Sequence, residues 1–270
     1  MKNSIKPYLT FTKNSIERQL SYRANSLIFF LGEVVLLAVN FFLWRAIYRS
    51  SSESIIKGFT INEMMVYVVL SFITVIFAGN SISNSIYTEV KDGSVATYLI
   101  KPIEYEKRYF FEKLGTLLYE FVTIFIVGFV IVIVMCLKND IKLTIVGVAF
   151  YFVSAILSFF ISFFYYYSFG LLSFKITNMW GLSQIMGAIM DLLSGILVPL
   201  VFFPEIIQKV LDFLPFKSMV YTPCMIFLNK MTTGEMIYAL GIQIIWVVIL
   251  GFGARMLWKT LIKQLTILGG

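Results

Sequence analysis

Residues 26–48 read SLIFFLGEVVLLAVNFFLWRAIY. Apart from Glu33 and Arg45 the stretch carries no charge. Crossing a hydrocarbon core of about 30 Å takes about 20 helical residues at about 1.5 Å each, and this run is long enough. Lipid offers the backbone no hydrogen-bond partners, so a spanning run must be a helix. Five further runs of similar length follow, over 63–87, 114–137, 143–167, 181–203 and 235–258. The pattern predicts an all-α membrane protein with six transmembrane helices.

Composition agrees with that class. The 270 residues are 59% hydrophobic and 14% charged, against about 25% charged in soluble domains. With so much of the length in the spans, one membrane domain over 26–270 is expected, without a folded nucleotide-binding module. Most of the 22 Lys and Arg fall at the span ends that an arrangement with both termini in the cytoplasm would place inside. The net charge of +7 is therefore read as membrane topology, not as a nucleic-acid footprint. The first apolar run is longer than a signal-peptide core and no A-x-A-like site follows, so it is expected to stay in the mature protein. Cys136 and Cys224 are expected as small apolar residues without a disulfide.

Three segments between and before the spans have their own character. In 1–25, Ile5, Tyr8, Leu9, Ile16 and Leu20 recur at helical spacing, which predicts an amphipathic helix lying on the cytoplasmic membrane surface. The 89–113 region holds five basic and five acidic residues and is interrupted by Gly93 and Pro102. Between these breakers, 94–100 carries Val95, Tyr98 and Leu99, a short run suited to docking on another protein. The charged residues around it, Lys91, Asp92, Lys101, Glu104, Glu106, Lys107 and Arg108, would supply further contacts to that partner. Four of the six prolines fall between the last two spans, at 199, 204, 215 and 223. Proline cannot continue a helix from within, so 198–224 is expected to dip back as short re-entrant helices, one over 204–213.

Ionisable residues inside spans are costly and need a partner or water. Glu33 has Asn40 on its face two turns later. Glu120 lies between Thr116 and Thr123, with Lys113 two turns before it. Asp191 shares a small, polar face with Gln184, Gly187, Ser194 and Gly195. Glu33, Glu120, Asp191 and Ser194 are candidates for a translocation path or gate; the competing reading is polar contact between packed helices. Glu63 and Arg45 sit near span ends, where snorkelling accounts for them. Trp44, Tyr48, Tyr165, Tyr166, Tyr167, Trp180 and Trp258 are expected in interfacial belts. No histidine occurs, and no G-x-x-x-x-G-K-[ST], so no catalytic residue, metal site or ATPase site of its own is predicted.

Three short runs carry a resemblance. Arg18-Gln19-Leu20-Ser21-Tyr22-Arg23-Ala24-Asn25 is similar to a "QRxLxYRAN" entry to a first span. Val90-Lys91-Asp92-Gly93-Ser94, continued by Tyr98-Leu99-Ile100-Lys101-Pro102-Ile103, resembles an "EGxxxxYLLKPI" run. Leu214-Pro215-Phe216 with Pro223 resembles an "LPF…P" segment. In these runs the chain resembles the ABC-2 type permeases, six-span membrane subunits of ATP-binding-cassette exporters. The resemblance implies pairing with a second six-span permease, identical or not, and docking on separate nucleotide-binding ATPase subunits that hold the ATP and Mg. It implies that Lys91, Asp92, Gly93, Tyr98, Leu99, Lys101 and Pro102 belong to the ATPase-coupling segment. It also implies export of a hydrophobic or amphipathic substrate such as a drug, antimicrobial peptide or lipid. An ATP-independent secondary transporter or lipid flippase is the alternative, and a non-transporting membrane component a third.

Overall fold

The structure is a computed structural model that describes residues 5–79, 81–176 and 178–264. The outermost residues of the two expected domains, 1–4 and 265–270, lie outside the described residues. Helix α1 (Lys6–Ser21) begins with Pro7 in its first turn, where a missing N–H leaves nothing unpaired. It bends at Tyr22 into α2 (Arg23–Ser50). A short hairpin of β1 (Ile55–Ile56) and β2 (Phe59–Thr60) leads to α3 (Ile61–Ala78). Next come α4 (Ser81–Lys91), α5 (Val95–Leu99) and α6 (Tyr105–Glu120), the last continuing through a π-turn (Phe121–Phe125) into α7 (Ile126–Lys138). Helices α8 (Ile145–Leu171), α9 (Trp180–Leu193), α10 (Glu205–Asp212), α11 (Tyr221–Phe227) and α12 (Thr233–Leu261) complete the described chain.

Among the described residues, five helical stretches are long and apolar enough to cross a membrane: Arg23–Ser50, Ile61–Lys91, Tyr105–Lys138, Ile145–Phe174 and Thr233–Leu261. Their apolar windows are not equally covered by protein. That of Ile61–Lys91 is 81% buried and that of Arg23–Ser50 only 6%, so α3 is the centre of the bundle and α2 its margin. Capping boxes open two of the spans, Thr60 with Glu63 on α3 and Thr232 with Glu235 on α12. Each ties down helix N–H groups that have no intrahelical acceptor. Glu63 has a further role: its carboxylate pairs with Lys230, whose ammonium also donates to the Gly58 carbonyl at 2.9 Å. Snorkelling does not describe it.

The fifth expected span departs from a single crossing. Helix α9 has 14 residues, about 21 Å of rise, short of the hydrocarbon thickness. It stops at Leu193, and Gly195 takes φ +88°, a left-handed conformation that residues with a Cβ rarely adopt. Beyond it, α10 occupies the 204–213 stretch where proline placement predicts a helix. The chain then returns into the bundle, and every residue of α11 is buried.

Helix α1 lies along α6, and it does so through hydroxyls. Thr12 Oγ1 donates to the Phe111 carbonyl at 2.8 Å, Ser15 and Thr116 hydroxyls meet at 3.0 Å, and the Tyr8 hydroxyl accepts from the Glu104 N–H at 2.9 Å. Ile5, Leu9 and Leu20 stay exposed. Most of the apolar stripe in the sequence is thus the uncovered face of α1, whereas Tyr8 belongs to the docked face and Ile16 is half-buried. Several expected belt aromatics are also internal: Trp44, Tyr48, Tyr166 and Tyr167 are buried, and Trp258 stacks on Tyr105 with centroids 5.0 Å apart. Cys136 and Cys224 are buried free thiols.

At Gly115 a Cβ would stand 2.4 Å from the Thr12 carbonyl oxygen, so α1 can approach α6 only because that position has no side chain. Gly115→Leu is expected to loosen α1 and speed tryptic cleavage after Lys13 and Arg18. Digestion at the wild-type rate would show that the close approach does not hold α1.

Candidate functional site

Two regions concentrate polar chemistry, one at the α4–α6 corner and one at the end of α9. The corner is organised by Arg108 in the first turn of α6, which is 2% exposed. A buried cation must be paired and hydrogen-bonded to be tolerated. Arg108 Nη1 donates to Glu89 Oε2 at 3.0 Å, Nη2 donates to the other Glu89 oxygen, and Nε donates to Glu112 Oε1 at 2.9 Å. The Tyr105 hydroxyl also donates to Glu89, at 3.0 Å. The Tyr98 ring of α5 lies over the guanidinium, its centroid 3.5 Å from Cζ, with Tyr109 at 4.5 Å. Planar guanidinium suits both the forked carboxylate and the ring face. Three consecutive helices, α4, α5 and α6, therefore meet at one side chain.

This geometry changes the reading of the charged region. Arg108 points inward and is not available to a partner. Tyr98 and Leu99 are half-buried and pack on the core. What α5 and its flanks leave exposed is Lys91, Asp92, Thr97, Ile100, Lys101 and Pro102, with Ile100 at 84%. Lys101 Nζ lies 4.9 Å from the Tyr98 ring centroid. Gly93 takes φ +76° and turns the chain out of α4. Asp92 Oδ1 accepts from the Ser94 N–H at 2.9 Å, and hydrogen bonding from Ser94 holds the Asp92 carboxyl below the usual carboxylate range. Lys107 pairs with Glu104 at 2.8 Å, and Glu106 with Arg255 of α12 at 3.8 Å. The i, i+4 spacing of Arg108 and Glu112 is visible in the sequence, but the Glu89 partner across two turns is not.

The second region is the break after α9. Unwound backbone inside a bundle has carbonyls that need donors, since each one left unmet costs about 1–3 kcal/mol. Four consecutive carbonyls find them on other elements. The Ser194 oxygen accepts from the Tyr221 N–H at 2.9 Å. That of Gly195 accepts from the Tyr67 hydroxyl at 2.6 Å, and that of Ile196 from the Ser71 hydroxyl at 3.2 Å. The Leu197 oxygen takes Asn40 Nδ2 at 3.3 Å and the Trp44 indole N–H at 3.4 Å. Helices α2, α3 and α11 thus all attach to one irregular stretch. The mid-span position of Asn40 hinted at such a role; Tyr67, Ser71 and Trp44 gave no sign of it.

Beside the break lies a cavity of about 240 Å³. Glu33 of α2, Asp191 of α9 and Ser194 all line it, together with Tyr166 and Gly79. Three of the four candidate path residues are thereby brought together. Glu120 is not among the residues lining this cavity; it sits two turns from Lys113 on α6, with their opposite charges attracting, immediately before the π-turn. Single π-turns often mark functional positions.

Two substitutions test these arrangements. Arg108→Met leaves the half-buried Glu89 carboxylate without its cation, which should destabilise the protein by about 1–3 kcal/mol. Combining it with Glu89→Gln should recover part of that loss in a thermal melt; equal melting of the single and double variants would sink the pairing argument. Gly195→Ala forces a Cβ into positive φ, 2.9 Å from the Tyr67 hydroxyl oxygen, and is expected to cost about 1–3 kcal/mol. A melting temperature equal to wild type would contradict it.

The sequence model of a family described as ABC-2 family transporter protein matches residues 34–269. No curated protein matches the chain.

Proposed function

This chain belongs to the ABC-2 family of transporter proteins, and from that premise we propose that it is the permease subunit of an exporter. Permeases of the family are multi-pass membrane subunits that work with ATP-binding subunits and have no ATPase site of their own. The proposed substrate is hydrophobic or amphipathic, of the drug, antimicrobial peptide or lipid kind. ATP and Mg are bound and turned over on a separate subunit, and a second six-span permease completes the pathway. Both termini are cytoplasmic in this reading. Helix α1 lies at the cytoplasmic membrane surface with Ile5, Leu9 and Leu20 toward lipid, and the 198–224 segment is re-entrant from the outside. The α9 segment and the chain following its break together make the fifth of six crossings.

The observation that carries the reading is the Arg108 cluster. A partner shifts a conformational equilibrium only through contacts that differ between states. In the proposed mechanism the ATPase contacts the exposed rim of α5, namely Lys91, Asp92, Thr97, Ile100 and Lys101, with Gly93 and Pro102 setting its limits. Tyr98 and Leu99 then face the other way, as the link between that rim and the spans. Displacing α5 moves the Tyr98 ring off the guanidinium unless α4 and α6 follow, since Glu89 and Glu112 hold Arg108 from those two helices. Movement at the rim is thus converted into movement of the second and third spans.

The broken helix beside a carboxylate-lined cavity is also a feature of ion-coupled carriers, which keeps an ATP-independent transporter as the second reading. The two are separated by reconstituting the chain with and without its ATPase. Transport that needs ATP and the second subunit supports the permease, and gradient-driven transport by the chain alone overturns it.

Rim and link make different predictions. Ile100→Asp should abolish co-purification of the ATPase. Tyr98→Ala should leave the ATPase bound while transport per ATP hydrolysed falls by about tenfold, as loss of a desolvated cation–π contact of about 1–2 kcal/mol predicts. Loss of ATPase binding in Tyr98→Ala, with Ile100→Asp unaffected, would reverse the assignment of the two faces.

A further inference from the structure

The cavity beside the α9 break has a chemistry that the permease role by itself does not explain. Two carboxylates, Glu33 and Asp191, line it, and no lysine or arginine is among its lining residues. Lys113 Nζ lies 3.0 Å from where a Cβ on Gly79 would stand, but Lys113 is not itself among the lining residues. Glu33 and Asp191 are both acids on one cavity, and like charges sharing a site disfavour each other's ionised form. Asp191 also sits in the last turn of α9, three residues before the Ser194 cap. An acid there opposes the helix dipole, whose C-terminal end favours positive charge. Both terms count against the fold as it stands, and the attraction of a cation in the cavity to both carboxylates would offset them.

An independent observation comes from Ser194. It is 2% exposed, lines the cavity, and its hydroxyl has no hydrogen-bond partner among the described residues. Buried hydroxyls are normally satisfied, so this one has an acceptor lone pair to offer an occupant. The remaining walls are apolar, with Leu36, Phe72, Val75, Met190 and Met219 among them.

We propose that this cavity binds the protonated amine of an amphipathic organic cation, with Glu33 and Asp191 as counter-charges, Ser194 Oγ as acceptor, and the apolar wall seating the attached hydrocarbon. The inference rests on the permease reading for its meaning, since it names the class of substrate: lipophilic amines. Two carboxylates supply more negative charge than one ammonium neutralises, which retains the cation while leaving it exchangeable along the path. A neutral or anionic amphiphile of the same size finds no such match.

The test uses the full chain in lipid nanodiscs and three probes of matched size: 4-phenylbutylamine, 4-phenylbutanol and 4-phenylbutanoate. Equilibrium binding of the amine should be saturable and at least about tenfold tighter than that of the alcohol, with no saturable binding of the carboxylate. Asp191→Asn and Glu33→Gln should each weaken the amine by about tenfold, and Ser194→Ala by a few-fold, while the alcohol is unaffected. Glu33 is exposed on the margin helix α2, so Glu33→Gln carries the test even if Asp191→Asn fails to fold. Equal binding of amine and alcohol, or wild-type amine affinity in Glu33→Gln, overturns the proposal. Binding needs no ATPase, so it is independent of the permease reading. An assembled complex that moves phenylbutanol as well as the amine would remove the cation assignment and leave the permease intact. Amine binding without any ATP-dependent transport would do the reverse.

Discussion

Four consecutive carbonyls, from Ser194 to Leu197, have no helical partner, and the rest of the bundle is arranged around supplying them. Their donors come from α2, α3 and α11. In a water-filled protein surface such a stretch would be an ordinary loop. Within a bundle, every donor must come from protein, so the break can exist only where other elements deliver N–H and O–H groups to it. This requirement explains why α2, which is otherwise almost uncovered, is attached at Asn40 and Trp44. It also explains why α11 is buried along its whole length, since the Tyr221 N–H at its start closes the first of the four bonds.

The same constraint produces the cavity. A continuous helix through 181–203 would fill the space beside α3 with its own side chains. Stopping at Leu193 leaves room bounded by Glu33, Asp191 and Ser194, at a place where the backbone is irregular but satisfied. An unbroken apolar helix would offer neither free polar groups nor space.

At the other centre, a single guanidinium plays the corresponding part. Arg108 is tolerated in a buried position because two carboxylates and several ring faces surround it. Glu89, Tyr98 and Glu112 reach the one guanidinium from three different helices, so α4, α5 and α6 are held as a unit. A short helix of five residues such as α5 would not be stable alone. Its position comes from Tyr98 on that guanidinium and from Val95 in the core. The hydroxyl-mediated seam between α1 and α6 extends this unit to the N-terminal helix, so the half of the protein around the charged region is laid out by polar contacts, where apolar packing dominates around α3.

The amino-acid sequence by itself determined the membrane class, the helical state of the long apolar runs, and the punctuation of the chain. The reasons are local: hydrophobic length, the rigidity of proline, and glycine's access to positive φ at 93. Helix α10 and helix α5 were legible from the prolines and glycines around them, as were the intramembrane acids Glu33 and Asp191 as residues in need of an explanation. Which partners those residues meet was decided only in three dimensions. The 181–203 run is as apolar as the other five, and its break depends on Tyr67, Ser71, Asn40 and Trp44, each far away in the chain. Arg108 looks like any other charge in 89–113 until Glu89 folds back onto it. Nothing in the sequence places the Tyr98 ring over that guanidinium. Hydrophobic periodicity reports how far a segment lies from water, whereas hydrogen bonds and ion pairs depend on which atoms arrive within about 3 Å of one another, and only the packed bundle specifies that.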